Sequence, residues 1–143
     1  MTMRSTRVRL ILSGAVLALA VGACNPTSSA APTGGAAGPS ITIAMITHEV
    51  PGDTYWDIIR AGAKKAAAQL GVTLKYSNDP YFTKQAVLVQ NAIDSKVNGI
   101  AMTAAGPDAL IGASKAAKAA GIPLVMFDSG LEDWVRMDAL MYF

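Results

Sequence analysis

Ile41-Thr-Ile-Ala-Met-Ile-Thr-His-Glu-Val-Pro-Gly-Asp-Thr-Tyr-Trp56 is the stretch from which the rest of the chain can be placed. It opens on an apolar run, Ile41 to Ile46, rich in β-branched side chains, which suits a strand buried on both faces of a parallel sheet. The run stops abruptly. Thr47 to Asp53 reads as a loop around Pro51-Gly52, and Asp53 or Thr54 is placed to cap a helix that starts at Tyr55. Tyr55 and Trp56 therefore fall where a strand hands over to a helix. Open α/β sheets bind ligands outside the carboxyl ends of their strands, where the strand order reverses. His48, Asp53, Thr54, Tyr55 and Trp56 together read as the rim of such a site.

Working outward, the chain alternates strand and helix, which predicts a three-layer α/β fold with a parallel sheet between helices. Strands are expected at Ile41 to Ile46, Val72 to Tyr76, Gly99 to Thr103 and Pro123 to Phe127. A first helix over Tyr55 to Leu70 places Ile59, Ala63, Ala66 and Leu70 in one stripe and stops at Gly71. A second, over Thr83 to Ser95, turns Ala86, Val89 and Ile93 to one side. A third opens at Pro107-Asp108, where proline is acceptable in a first turn, and ends at Gly121. Each connection is short enough for a right-handed crossover, and the strand order expected is 2-1-3-4, with the reversal beside the Thr47 to Trp56 loop.

Upstream of Ile41 the composition changes twice. Residues 1–24 carry Arg4, Arg7 and Arg9 ahead of a short apolar core from Leu10 to Val21, which reads as an export signal rather than a membrane span. Val21-Gly22-Ala23-Cys24 resembles a bacterial lipobox, which implies lipidation of Cys24 and anchorage to a membrane surface without spanning it. Cys24 is the only cysteine, so disulfide and thiolate-metal readings are poor. Residues 25–40 are almost wholly Pro, Thr, Ser, Ala and Gly and read as a disordered tether. The folded part is then residues 41–143.

The formal charge of +2 is set by the leader, because from Cys24 onward nine basic residues face ten acidic ones. No basic patch is visible, which argues against a nucleic-acid partner. Enzyme signatures are missing too. There is no Gly-x-Gly-x-x-Gly after the first strand, no phosphate-binding Gly-x-x-x-x-Gly-Lys, no nucleophile elbow, and no pair of histidines or cysteines for a metal. No enzymatic activity and no cofactor are expected.

The order Pro51-Gly-Asp-Thr-Tyr-Trp56, Gly62-Ala63, Gly71-Val72, Gln85, Asn91-Ala92-Ile93, Asn98-Gly99-Ile100, Ala120-Gly-Ile-Pro123 and Phe127-Asp-Ser-Gly130 resembles the type I sugar-binding proteins of bacterial ABC importers. These are relatives of the ribose- and galactose-binding proteins. The resemblance implies a substrate-binding lipoprotein that takes a neutral monosaccharide or polyol and delivers it to an importer permease at the outer face of the cell membrane. Position by position, it implies that Tyr55 and Trp56 stack on the sugar, that Asp53 and Asp128 take hydroxyls, and that Ser129 stands where ribose-type members carry arginine. Aromatic rings suit the apolar C–H faces of a pyranose, and a carboxylate accepts from adjacent hydroxyls. A sensor of sugars or signal molecules is the alternative, and a small α/β enzyme a more distant one.

Plainer roles stand beside these. Trp56 can be core packing, Asp53 a helix cap, His48 a solvated loop residue, and Asp128-Ser129-Gly130 an ordinary turn. The final residues, Ala139 to Phe143, look like the strand that leads to the hinge between two lobes, of which only the first is expected here. A lone lobe is expected to bind weakly, to be marginally stable and to associate through an open sheet edge.

Overall fold

The computed structural model describes residues 40–143. The expected leader, the expected tether up to residue 39 and Cys24 lie outside the described residues. Eight elements follow in order: β1 (Thr42–Thr47), α1 (Tyr55–Leu70), β2 (Thr73–Asn78), α2 (Phe82–Asp94), β3 (Gly99–Met102), α3 (Pro107–Ala119), β4 (Leu124–Met126) and β5 (Met141–Tyr142). They build one parallel sheet in the order β2-β1-β3-β4-β5. The expected order is therefore observed, with β5 added beside β4 where the approach to a hinge was expected.

Helix ends follow their residues. Gly71 and Gly121 adopt φ of 66° and 73°, the left-handed conformation that glycine enters without a Cβ penalty. Pro107 begins α3, where its missing N–H costs no helical bond. At the start of α1, Thr54 makes no side-chain cap; Asp53 Oδ1 instead accepts the Tyr55 N–H at 3.0 Å. Of the two expected caps, the carboxylate serves.

Strand boundaries differ from expectation by one to two residues. β1 runs one residue later, to Thr47, and β2 runs from Thr73 to Asn78 because each residue pairs in register with β1, Thr42 with Thr73 through Thr47 with Asn78. β3 stops before Thr103, and β4 is only Leu124–Met126. Pairing partners, which local sequence does not report, set these limits.

The two faces of the sheet are covered differently. Ala44 and Ile46 of β1, Ile100 and Met102 of β3, and Leu124 and Met126 of β4 share a face and form the core with Val89 and Ala92 of α2 and Leu110 and Ala117 of α3. On the opposite face lie Met45, Thr47 and Tyr76, beneath α1. The stripe expected on α1 is corrected here. Ala66 and Leu70 are exposed, Leu70 at 76%, and the inward line is Trp56, Ile59, Ala63 and Ala67. Arg60 joins that line because it pairs with Glu49 and lies over the Tyr76 ring. An apolar count along the helix does not foresee an arginine held inward by a partner on another segment.

Candidate functional site

β1, β3 and β4 end at one rim of the sheet, and the segments that leave them carry the polar side chains. β1 is central, with β2 on one side and β3 on the other, so the strand order reverses at its carboxyl end. On topological grounds a ligand site is expected there.

Tyr55, at the start of α1, reaches across to the segment after β4, where its hydroxyl donates to Asp128 Oδ1 at 2.7 Å. The hydrogen bond to Asp128 and that carboxylate's charge both hold the Tyr55 phenol above its ordinary value, because an anion beside it disfavours phenolate. Asp128 has φ of 67° in a tight turn closed by the Ser129 N–H on the Phe127 carbonyl at 2.7 Å. A non-glycine residue held in that region at a strand end marks a position where geometry is being imposed. Behind the turn, Gly130 leaves no room for a side chain: an added Cβ would stand 2.6 Å from Met126 Cε and 3.0 Å from Ala104 Cβ.

The other expected residues divide between wall and support. Tyr55 is 49% exposed and offers its ring to solvent, whereas Trp56 is 3% exposed. Trp56 sits edge-on to both neighbours, 5.1 Å from the His48 ring and 5.1 Å from the Tyr55 ring. Asp53 and Thr54 are exposed in the loop, with Asp53 engaged at the Tyr55 amide. Ser129 Oγ accepts the Ala104 N–H at 3.1 Å and so ties the turn after β4 to the end of β3. His48 bonds through both its backbone N–H and Nδ1 to Thr103 Oγ1, at 3.1 and 2.7 Å.

Three residues of the rim were not singled out as site residues from sequence. Thr103 is fully buried behind His48, and Gln85 of α2 donates to the Thr103 carbonyl at 2.8 Å. Glu49, 7% exposed, takes hydrogen bonds from Tyr76 and Arg60, while Tyr76 also pairs with Thr47 Oγ1 at 2.6 Å. Burial pushes the Glu49 carboxyl up, but the Tyr76 and Arg60 hydrogen bonds and the Arg60 charge outweigh it and hold the group below its ordinary 4.5. The only local signal was a polar residue directly after an apolar run. Among the described residues, no group of three or more His, Cys, Asp or Glu is placed to hold a metal ion.

The fold that carries this rim has counterparts in known proteins. Residues 43–141 match the family model of the periplasmic binding protein domain. The chain belongs to that family. A carbohydrate transporter from Acidothermus cellulolyticus, solved in complex with myo-inositol, is 62% identical, with a TM-score of 0.72 over 73% of this chain and 37% of that one. A periplasmic sugar binding protein of an ABC sugar transporter from Legionella pneumophila is 28% identical, with a TM-score of 0.66 over 71% of this chain and 38% of that one. The D-apiose import binding protein of Actinobacillus succinogenes is 38% identical over 89 residues, 60% of this chain and 28% of its own length. The chain thus spans less than two fifths of each of these relatives. Membership in a family of binding proteins agrees with the expectation of no enzymatic activity.

Proposed function

We propose that this domain is the sugar-contacting lobe of an ABC importer's substrate-binding protein, and that it takes a neutral monosaccharide or polyol at the rim formed by Tyr55, Trp56 and Asp128. The observation that carries the reading is the Tyr55–Asp128 hydrogen bond, which joins an exposed aromatic ring to a carboxylate at the point of strand reversal. An aromatic face and a hydroxyl acceptor in contact are what a sugar's apolar face and hydroxyl edge require. The 62% identity to a transporter crystallised with myo-inositol favours a cyclitol or a pyranose of similar outline.

In this reading Tyr55 stacks on the ligand with Trp56 bracing it, Asp128 and Asp53 accept hydroxyls, and Thr54, Ser129 and His48 complete the rim. A lobe covers one side of its ligand, so affinity from these residues alone is weak, in the range of about 1 mM. The partner is an importer permease, and Cys24 fixes the protein by lipid at the outer face of the cell membrane. Mass spectrometry of the mature N-terminus tests the anchor: a diacylated Cys24 is expected, and an unmodified thiol removes it. For the site, chemical-shift titration of the chain with myo-inositol and a hexose panel is expected to move Tyr55 and Asp128 first. Asp128→Ala should abolish that response while the far-UV spectrum is kept; an unaltered response overturns the assignment.

A further inference from the structure

The hydrogen bonds around His48 determine more than its position. Thr103 Oγ1 accepts the backbone N–H of His48 at 3.1 Å, and it lies 3.3 Å from Gln85 Nε2, which donates to the Thr103 carbonyl at 2.8 Å. The orientation of the Gln85 amide is fixed by that carbonyl, which can only accept. Turning the amide over would aim Gln85 Oε1 at another oxygen, and the amide keeps its orientation even though Oε1 is buried with no partner. A hydroxyl has two lone pairs and one proton. With both lone pairs of Thr103 Oγ1 facing N–H donors, its proton is what remains for the third contact, to His48 Nδ1 at 2.7 Å. A donating Nδ1–H would leave a fully buried hydroxyl with three donors and nowhere to send its own proton.

We infer that Thr103 and Gln85 lock His48 as the Nε2–H tautomer, so that the rim presents an N–H donor to an acceptor oxygen of the ligand. Nε2 has no hydrogen-bond partner among the described residues, so the donor is uncommitted. The inference deepens the sugar-binding reading and rests on it for the nature of the ligand, but the lock itself does not. A ligand hydroxyl or ring oxygen is accepted at this point, and an ammonium or amide N–H is not, because it would meet a second donor. Thr103 and Gln85 are positioning residues, acting through the imidazole.

His48 is the only histidine, so the ring can be observed without ambiguity in the uniformly 15N-labelled 143-residue chain. Long-range 1H–15N correlation in alkaline buffer, without ligand, is expected to show Nε2 as the protonated nitrogen and Nδ1 shifted by an accepted hydrogen bond. Thr103→Ser should keep this pattern. Thr103→Val should lose the Nδ1 shift and bring the two nitrogen signals closer as both tautomers populate, with polyol affinity falling about tenfold. A protonated Nδ1 in the parent chain, or identical spectra for the parent and Thr103→Val, overturns the lock whatever binds. If the lock is present and myo-inositol binds by calorimetry without moving Nε2–H, the donor role is overturned. A lock with no heat for any polyol in the panel overturns the sugar reading, and with it the ligand assigned to the donor.

Discussion

The two faces of the sheet solve the same problem with different chemistry. Under α2 and α3, interlocking apolar side chains such as Ile46, Val89, Met102, Leu110 and Met126 exclude water almost completely. Under α1, Trp56 is the one fully buried residue of the helix, and the contact is held by Glu49, Arg60, Tyr76 and Thr47, with Ile58 and Leu70 left exposed at 75% and 76%. The apolar face derives its stability from area removed from water, with no charge to titrate or to be screened. The polar face depends on each partner keeping its charge or proton, and fixes the direction of α1 more than it adds to cohesion. The same helix delivers Tyr55 to the rim, so the site borrows its precision from the polar face and its rigidity from the apolar one.

The contrast can be broken most directly at Leu110, which is fully buried between α3 and the sheet. Leu110→Ala is expected to cost about 3 kcal/mol, from lost transfer energy plus a cavity, and to lower the thermal midpoint by about 15 °C. If Tyr76→Phe proved equally damaging, the two faces would not differ as described. That variant keeps the ring over which Arg60 lies and removes only the hydroxyl shared by Thr47 and Glu49. A loss of about 1.5 kcal/mol by urea unfolding is expected.

Acid sharpens the comparison. Because the Glu49 carboxyl is held below 4.5 in the folded chain, it binds fewer protons than in the unfolded chain just below that value. Its contribution is therefore complete above pH 4.5 and drains away as pH falls through the lower, folded value. Glu49→Gln should be less stable than the parent at pH 7 and approach it toward pH 3, and the gap between Leu110→Ala and the parent should be unchanged over that range. An equal acid sensitivity in parent and Glu49→Gln would falsify the assignment. The smallest effect lies at the rim. Absorbance titration should find the Tyr55 phenol ionising above its ordinary 10, and Asp128→Asn should bring it back with the thermal midpoint moved by no more than about 2 °C.

What was legible in the sequence was whatever is decided locally. The apolar run ending at Ile46, the breakers Gly71 and Gly121 and the proline at Pro107 each act within a few residues of themselves, and they placed the elements to within a residue or two. Right-handed crossovers over short connections are compatible with the observed strand order but do not select it, because they do not say on which side of β1 each new strand is laid. The inward line of α1 was misjudged because Arg60 is drawn in by Glu49, a residue outside the helix. The support behind the site was missed for a related reason. His48 and Thr103 are 55 residues apart, Tyr55 and Asp128 73, and no period or spacing within a single element encodes such a contact. Exposure separates the two aromatics in a way their adjacency in sequence does not show: Tyr55 is 49% exposed and Trp56 only 3%, with their rings edge-on.

The central place of β1 also constrains the order in which the molecule can assemble. β1, α1 and β2 form a contiguous crossover unit, so the first pairing closes a short loop and can occur while the rest of the chain is unstructured. The other edge of β1 must wait for β3, whose approach is pinned by the Thr42 N–H on Asn98 Oδ1 across 56 residues. Until then β1 exposes a full row of unpaired backbone groups together with Ala44 and Ile46, and an intermediate of that kind pairs readily with a second chain. Pulsed hydrogen exchange during refolding should find the β1–β2 amides protected ahead of those joining β1 to β3, and refolding yield should fall as protein concentration rises.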